Sequence, residues 1–141
     1  MIWNDKKYKL AIEALGVMVW TGVDRCEESL PARTFALQRH ESGTGWLRWD
    51  EELDGTFDQW NYISDFEAGC IIAEFVVNRL WNKHLVAVMP ALLRDGFVWR
   101  IAERDNNRWE YMPGGYKDRH EALAEAMMAV LREIKERKND A

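Results

Sequence analysis

Leu85 to Met112 reads LVAVMPALLRDGFVWRIAERDNNRWEYM, and its pattern decides the fold. Leu85 to Leu93 is an apolar run of strand length. Pro90 lies inside it and has no N–H to give to a sheet, so this strand is predicted at a sheet edge or split in two. Asp95-Gly96 is a two-residue hairpin turn, because glycine takes the positive φ that such turns require. Beyond it, Phe97, Trp99 and Ile101 alternate with Val98, Arg100 and Ala102. Asp105-Asn106-Asn107 makes a second turn, after which Trp109 and Tyr111 alternate with Arg108, Glu110 and Met112. Alternation with period two sends successive side chains to opposite faces. The segment is therefore predicted as a three-stranded antiparallel meander with an aromatic inner face.

On either side the period changes to that of a helix. Upstream, Ser64 stands three residues before Glu67, a capping box in which each side chain satisfies a backbone N–H of the first turn. The helix runs to about Asn82 and buries Ala68, Ile72, Phe75, Val76 and Leu80. Downstream, Pro113-Gly114-Gly115 ends the sheet, and Asp118 with Glu121 repeats the cap pattern. Leu123, Met127, Val130, Leu131 and Ile134 then form one stripe, with Glu133 and Arg137 paired at i,i+4 on the other side. Near the start, Tyr8, Ile12, Leu15 and Val19 recur at helical spacing. They predict a first helix from about Asp5 to Val19, with Asn4 as N-cap and Gly22 just past its end. Residues 21–33, with Pro31, read as a loop. Thr34 to Arg39 and Gly45 to Asp50 both alternate, and Glu41 to Gly45 has the glycines of a loose hairpin turn. Phe35 and Leu37 share one face of the first strand; Leu47 and Trp49 oppose Trp46 and Arg48 in the second. The expected fold is α+β: a single domain whose antiparallel sheet, a hairpin plus a three-stranded meander, packs with about three helices.

Bulk properties narrow the function. A chain of 141 residues fits one domain and buries roughly two-thirds of its unfolded surface, enough for a core without metals or disulfides. The net charge of −5 argues against direct nucleic-acid binding, which needs a basic footprint to displace counterions. The lysines of Lys6, Lys7 and Lys9, and the cluster Lys135, Arg137 and Lys138, fall on predicted helices as solvated faces. Cys26 and Cys70 are expected as free thiols of a reducing compartment. The polar stretch Met1 to Lys9 does not read as a leader, and no apolar run approaches the ~20 residues that span a bilayer. A cytoplasmic location with no membrane association follows as the expectation. Eight tryptophans are the outlying feature, since indole belongs in a core or at an interface.

Three stretches resemble the phage α-β-α sandwich domain family, small proteins of phages and prophages. Leu10 to Trp20 (LAIEALGVMVW) is similar to that family's opening helix ending in Trp. Tyr62-Ile63-Ser64-Asp65 with Phe66-Glu67-Ala68 is similar to its Tyr-Ser-Thr-Asp lead-in to a central helix, departing from it at Ile63. The Trp-containing hairpin leading to Arg119 to Ala126 (RHEALAEA) looks like the family's final Glu-Ala-rich helix. The resemblance implies a fold and a phage context, supplies no catalytic residues, and leaves residues 21–60 as an insertion or variable hairpin and loop region.

Several patterns bear on chemistry. Asp50 to Asn61 (DEELDGTFDQWN) places Asp50, Glu52, Asp54 and Asp58 at positions 1, 3, 5 and 9 of a calcium loop, with Gly55 at the sharp turn. Asn61 stands where a bidentate Glu is needed, and a solvated acidic loop competes with this reading. His40, His84 and His120 lie on separate elements, and a zinc site with Cys26 and Cys70 would have to be assembled by folding alone. No nucleophile elbow, Walker loop or dinucleotide fingerprint occurs. Cys70 falls on an apolar helix face; Cys26 falls in a polar loop where it is open to reaction. Gly114, Gly115, Lys117 and Arg119 precede a helix and can hold an anion there, although Asp118 already occupies the cap. Trp20, Trp81, Trp99 and Trp109 fit core stripes. Trp46 and Trp60 flank the acidic loop beside Arg48 and Tyr62, residue types that dominate binding hot spots; packing as a small local core is the competing reading.

These readings lead to a phage- or prophage-type, non-enzymatic effector that binds and inhibits a host or bacterial protein, for example one of antiviral defence. The expected partner surface is Trp46, Arg48, Asp54, Asp58, Trp60 and Tyr62. The alternative is a module that sequesters a small ligand such as a nucleotide signal, using Gly114, Gly115, Lys117 and Arg119. A metal-dependent enzyme ranks below both. No cofactor is expected, and a homo-oligomer is compatible with either reading.

Overall fold

Gly16 decides where the first helix stops. In the computed structural model, α1 spans Lys6–Ala14 after a 3-10 turn at Ile2–Asn4. Its N-cap is Asp5, not Asn4: the Asp5 carboxylate accepts the Lys7 N–H at 3.1 Å. At the other end Gly16 adopts φ 73°. The Gly16 N–H donates to the Glu13 carbonyl at 3.0 Å and the Val17 N–H to that of Ile12 at 3.0 Å. This is the Schellman arrangement, in which a left-handed glycine closes a helix. The helical spacing of Ile12, Leu15 and Val19 is therefore interrupted. The β-branched and aromatic residues past Gly16 form a strand instead, β1, Met18–Thr21.

The described residues are 1–21, 25–28, 35–50, 61–93, 96–103, 110–111 and 118–140, with backbone alone for 50, 88–93, 96–103, 110–111 and 137–140. Two compact units divide them: Met1 with Trp3–Ile72, and Ile2 with Ala73–Ala141.

In the first unit, β2 (Arg25–Glu28) occupies part of the expected loop, β3 (Phe35–Arg39) and β4 (Trp46–Asp50) are the expected hairpin, and β5 (Asn61–Ile63) follows. All pair antiparallel in the order β1-β2-β3-β4-β5. The segment 21–60, read as an insertion, thus supplies the three middle strands. The sheet face that carries Met18, Cys26, Phe35, Leu37 and Trp46 is buried, as are Tyr8, Ala11, Ile12 and Leu15 from α1. Trp3, which nothing in the sequence pattern singles out, is fully buried and donates its indole N–H to the Gly69 carbonyl at 3.1 Å. Lys9 lies 4.5 Å over the Trp20 ring, so it covers an indole face rather than standing free in solvent. Glu13 accepts the Trp20 backbone N–H at 3.0 Å, occupying a donor on the edge strand β1.

α2 (Asp65–His84) begins in the first unit and continues into the second. Its start follows the capping pattern, with the Glu67 N–H donating to Ser64 Oγ at 3.1 Å. Ala68, Ile72, Val76 and Leu80 lie on one row and are fully buried. Trp81, expected in the core, falls one position off that row and is 43 % exposed; a single step around a helix turns a side chain by about 100°. Leu85 ends the helix at φ 58°.

The second unit continues with β6 (Val86–Leu93), β7 (Gly96–Glu103) and β8 (Glu110–Tyr111), in that order across a three-stranded antiparallel sheet. Among the described residues β6 is an edge strand, and Pro90 sits in it opposite Trp99, a placement that suits a missing N–H. The expected aromatic face of this meander lies outside the described side chains, as do Trp99, Trp109 and the Glu133–Arg137 pair. α3 (Arg119–Asp140) packs on β6 and β7. Asp118 caps it, accepting the His120 N–H at 2.7 Å and the Glu121 N–H at 3.2 Å. Leu123, Met127, Val130 and Leu131 are buried as expected, joined by Ala122, Ala124 and Ala126. The chain is an α+β fold, and no described helix is long and apolar enough to cross a membrane.

Cys26 is corrected by this fold. It is a fully buried β2 residue rather than a loop thiol, and burial pushes its pKa up to about 12. In a Cys70→Ser variant the Cys26 thiol is expected to resist aromatic disulfide reagents at pH 8 until denaturant is added; rapid labelling of the folded chain would contradict its burial.

Leu85 generates a second prediction. A left-handed backbone costs a branched residue about 1–2 kcal/mol, against roughly 0.4–1 kcal/mol of extra unfolded-chain entropy for glycine. Leu85→Gly is therefore expected to raise stability in urea by a few tenths to about 1 kcal/mol. A loss would mean that the leucine side chain contributes more than the strain costs.

Candidate functional site

Strand alternation sorts the first sheet into two faces, and one register row stays open from edge to edge. Thr21 pairs with Arg25, Arg25 with Gln38, Gln38 with Leu47, and Leu47 with Tyr62. In an antiparallel sheet, residues directly opposite one another project from the same face. This row therefore crosses all five strands on the side away from Met18, Leu37 and Trp46. Thr21 and Tyr62 are exposed, while Arg25, Gln38 and Leu47 are half-buried. The next row along, Val19, Glu27, Ala36 and Trp49, is covered where Ala36 and Trp49 are buried.

A cleft of about 560 Å³ adjoins the row, lined by Thr21, Arg25, Gln38, Arg39, His40, Glu41 and Gly43. Arg25 Nε donates to Glu27 Oε1 at 2.9 Å. Arg39 Nη2 donates to the Gly43 carbonyl at 2.7 Å, and its guanidinium lies 5.5 Å over the Trp46 ring. The Ser42 N–H donates to His40 Nδ1 at 3.2 Å. A backbone N–H can only donate, so this bond assigns the ring proton to Nε2. Ser42 Oγ lies 2.6 Å from Nδ1 and also bonds Thr44. Serine and histidine here brace a β-turn closed by the Gly43 N–H on the His40 carbonyl at 2.9 Å. Tyr62 packs edge-on against His40, centroids 5.3 Å apart at 89°.

Of the expected partner surface, the described residues Trp46, Arg48 and Tyr62 do not share one sheet face. Tyr62 is on the open face and is 58 % exposed. Trp46 and Arg48 pair with Ile63 and Asn61, which places both on the opposite face, one residue out of phase with Tyr62. Trp46 is fully buried, and its indole N–H donates to Asp65 Oδ1 at 2.6 Å. Arg48 is half-buried with its guanidinium 5.7 Å over the Phe35 ring. For Trp46 the packed reading is the right one. Asp54, Asp58 and Trp60, and residues 51–60 of the calcium-loop pattern, lie outside the described residues. So do Gly114, Gly115 and Lys117; Arg119 is exposed at the first position of α3. Among the described residues no three His, Cys, Asp or Glu side chains converge as metal ligands. The row residues Arg25, Gln38 and Leu47 could be found only from the pairing of β2 and β5, which the sequence pattern does not reveal.

Asp65 anchors the buried side. It also takes the Met1 α-ammonium on Oδ2 at 3.1 Å. Burial raises its pKa, but the hydrogen bonds from the α-ammonium and Trp46, with the charges of the α-ammonium and Arg39, outweigh this and hold the carboxyl below the usual range. A depressed carboxylate stabilises above its unfolded pKa of about 4 and stops doing so as pH falls through the folded value. The carboxylate is half exposed, so solvent screening limits the effect. Asp65→Asn is expected to lose no more than about 1 kcal/mol at pH 7, with the difference from wild type shrinking in acid. An equal deficit at pH 7 and pH 2.5 would contradict a charge-based role.

Gly45 generates a prediction for the site itself. It adopts φ 74°, and a Cβ added there would meet the Tyr62 ring at 2.5–2.6 Å. Gly45→Ala is expected to cost about 1–2 kcal/mol of backbone strain and to swing Tyr62 away from His40. Unchanged ring-current shifts of the His40 and Tyr62 protons by NMR would show that the two rings are not held by this approach.

Comparison of the chain with protein-family models, with curated proteins and with solved structures finds no match.

Proposed function

We propose that this chain is a small non-enzymatic binding protein of the phage or prophage type, working in the bacterial cytoplasm, that docks and inhibits a host protein along the open row of its five-stranded sheet. The observation that carries this reading is the row itself, Thr21–Arg25–Gln38–Leu47–Tyr62, which stays exposed or half-buried across every strand. Tyr62 at one end and Arg25 next to the other supply residue types that are enriched at protein interfaces. The family resemblance and the acidic chain are compatible with an effector whose target is a component of antiviral defence. Rigid β-strands under the row suit recognition with little rearrangement.

A second reading rests on the cleft. Its volume lies in the range of small-molecule sites, roughly 300–1,000 Å³, and Arg25, Arg39 and His40 border it. A nucleotide-like anion would sit there. Saturable change of tryptophan fluorescence on titration with nucleotides would favour this reading.

Site-specific photo-cross-linking in a bacterial host tests the principal one. A benzoylphenylalanine replacing Tyr62 is expected to yield a discrete protein adduct. The same group at the exposed α2 position Glu74 is expected to yield none. Adducts from neither site, or equally from both, would remove the row as a docking surface.

A further inference from the structure

The outer edge of β1 is organised by one side chain. The backbone N–H of Trp20 donates to Glu13 Oε1 at 3.0 Å. In an antiparallel pair, successive residues turn their N–H and C=O groups to alternate sides of the strand. With the Trp20 N–H directed at Glu13, the backbone groups of Val19 and Thr21 face β2, opposite Glu27 and Arg25. Those of Met18 and Trp20 face outward. β1 ends the strand order of its sheet, so the outward side is the one to which a further strand adds.

Glu13 stands where a helix disfavours it. It lies in the last turn of α1, at the negative end of the helix dipole, which suits cations and not carboxylates. One turn earlier on the same helix, Lys9 lies 4.5 Å over the Trp20 ring. Trp20 pairs with Cys26, so its ring projects from the buried face of the sheet, as Cys26 does. Lys9 therefore holds the indole on that face, and Glu13 reaches past it to the backbone edge. There its carboxylate takes a charge-assisted hydrogen bond from the strand, which offsets its unfavourable place on the helix.

A second copy of β1 is the strand that matches this edge. Two copies paired antiparallel about a twofold axis at Val19 set each Trp20 opposite the partner's Met18. These are the residues whose backbone groups face outward, so each Trp20 N–H meets a Met18 carbonyl and each Met18 N–H a Trp20 carbonyl. Val19 is 52 % exposed and falls opposite its own copy at the non-hydrogen-bonded position. Side chains approach most closely there, and β-branched pairs stabilise a sheet. The Trp20 donor on which this ladder depends is the one that Glu13 holds.

We infer that Glu13 is a built-in block against self-pairing: it occupies the Trp20 N–H, and its removal opens β1 to antiparallel pairing with a second copy of this chain. The block acts along the edge of the sheet and is independent of the open row on its face.

Sedimentation velocity over a wide range of protein concentration tests it. Wild type is expected to stay monomeric, and Glu13→Ala to form dimers at concentrations at least about tenfold below any at which wild type does. Glu13→Met keeps the length and helix preference of the side chain without its carboxylate, and is expected to behave like alanine. Glu13→Gln retains an accepting oxygen and is expected to behave like wild type. Val19→Lys added to Glu13→Ala sets like charges opposite each other and is expected to restore the monomer. Hydrogen exchange at the Trp20 amide is expected to be faster in dilute, monomeric Glu13→Ala than in wild type, and to slow again in the dimer. Near-UV circular dichroism establishes that each variant is folded. Folded alanine and methionine variants that stay monomeric, a glutamine variant that dimerises as alanine does, or a dimer that survives Val19→Lys would each overturn the inference. So would a wild-type dimer that Val19→Lys dissolves. Unfolding of both the alanine and the methionine variants would make Glu13 a stability residue and overturn it too.

Discussion

The two-residue period of an extended chain governs the whole first unit. Every side chain of β1–β5 is assigned to one face or the other by parity alone once the register is set. Trp46 and Tyr62 are both aromatic and sit on adjacent strands, yet Trp46 pairs with Ile63 and Tyr62 with Leu47. That offset of one residue sends the indole into the core, where Asp65 satisfies its N–H, and leaves the phenol on the open face. A one-residue slip of β4 against its neighbours would turn Trp46 onto the open face beside Tyr62. Burial of Trp46 is a strong penalty against such a slip, so the core residue protects the geometry of the open row.

Much of this was legible in the chain, and what was not has physical reasons. The hairpin of β3 and β4 was legible because Gly43 and Gly45, flanked by alternating residues, meet both demands of a turn. The starts of α2 and α3 were legible because Ser64 and Asp118 can satisfy orphan N–H groups only from a cap position. β2 was not: Arg-Cys-Glu-Glu has little strand preference of its own, and hydrogen bonds from β1 and β3 on both sides hold it extended. β5 has three residues, too few for a period to register. Without those two strands the row Arg25–Gln38–Leu47–Tyr62 does not exist on paper, although each residue is in plain view. The early end of α1 was hidden because Ile12, Leu15 and Val19 mimic a helical stripe across Gly16.

The same fold bears on the resemblance to phage sandwich domains. Leu10 to Trp20 is a helix end, a glycine stop and an edge strand rather than one helix. The strands β2, β3 and β4, which fall within the stretch 21–60, hold the centre of a sheet instead of decorating it. Deleting that stretch would separate β1 from β5 and open the core that Cys26, Leu37 and Trp46 fill.

The strand order β1-β2-β3-β4-β5 also says something about how the first sheet assembles. Each strand pairs with the one just made, and no strand waits for a distant segment. The entropy of bringing chain ends together is lost in several small increments instead of one large one. Sheets with such local pairing have low contact order and form quickly for β-structure. β1 and β5 remain as the two edges, and Glu13 covers the Trp20 N–H on the first as soon as α1 is in place. Local pairing of this kind shortens the time for which an unpaired strand can take its partner from another copy of the chain.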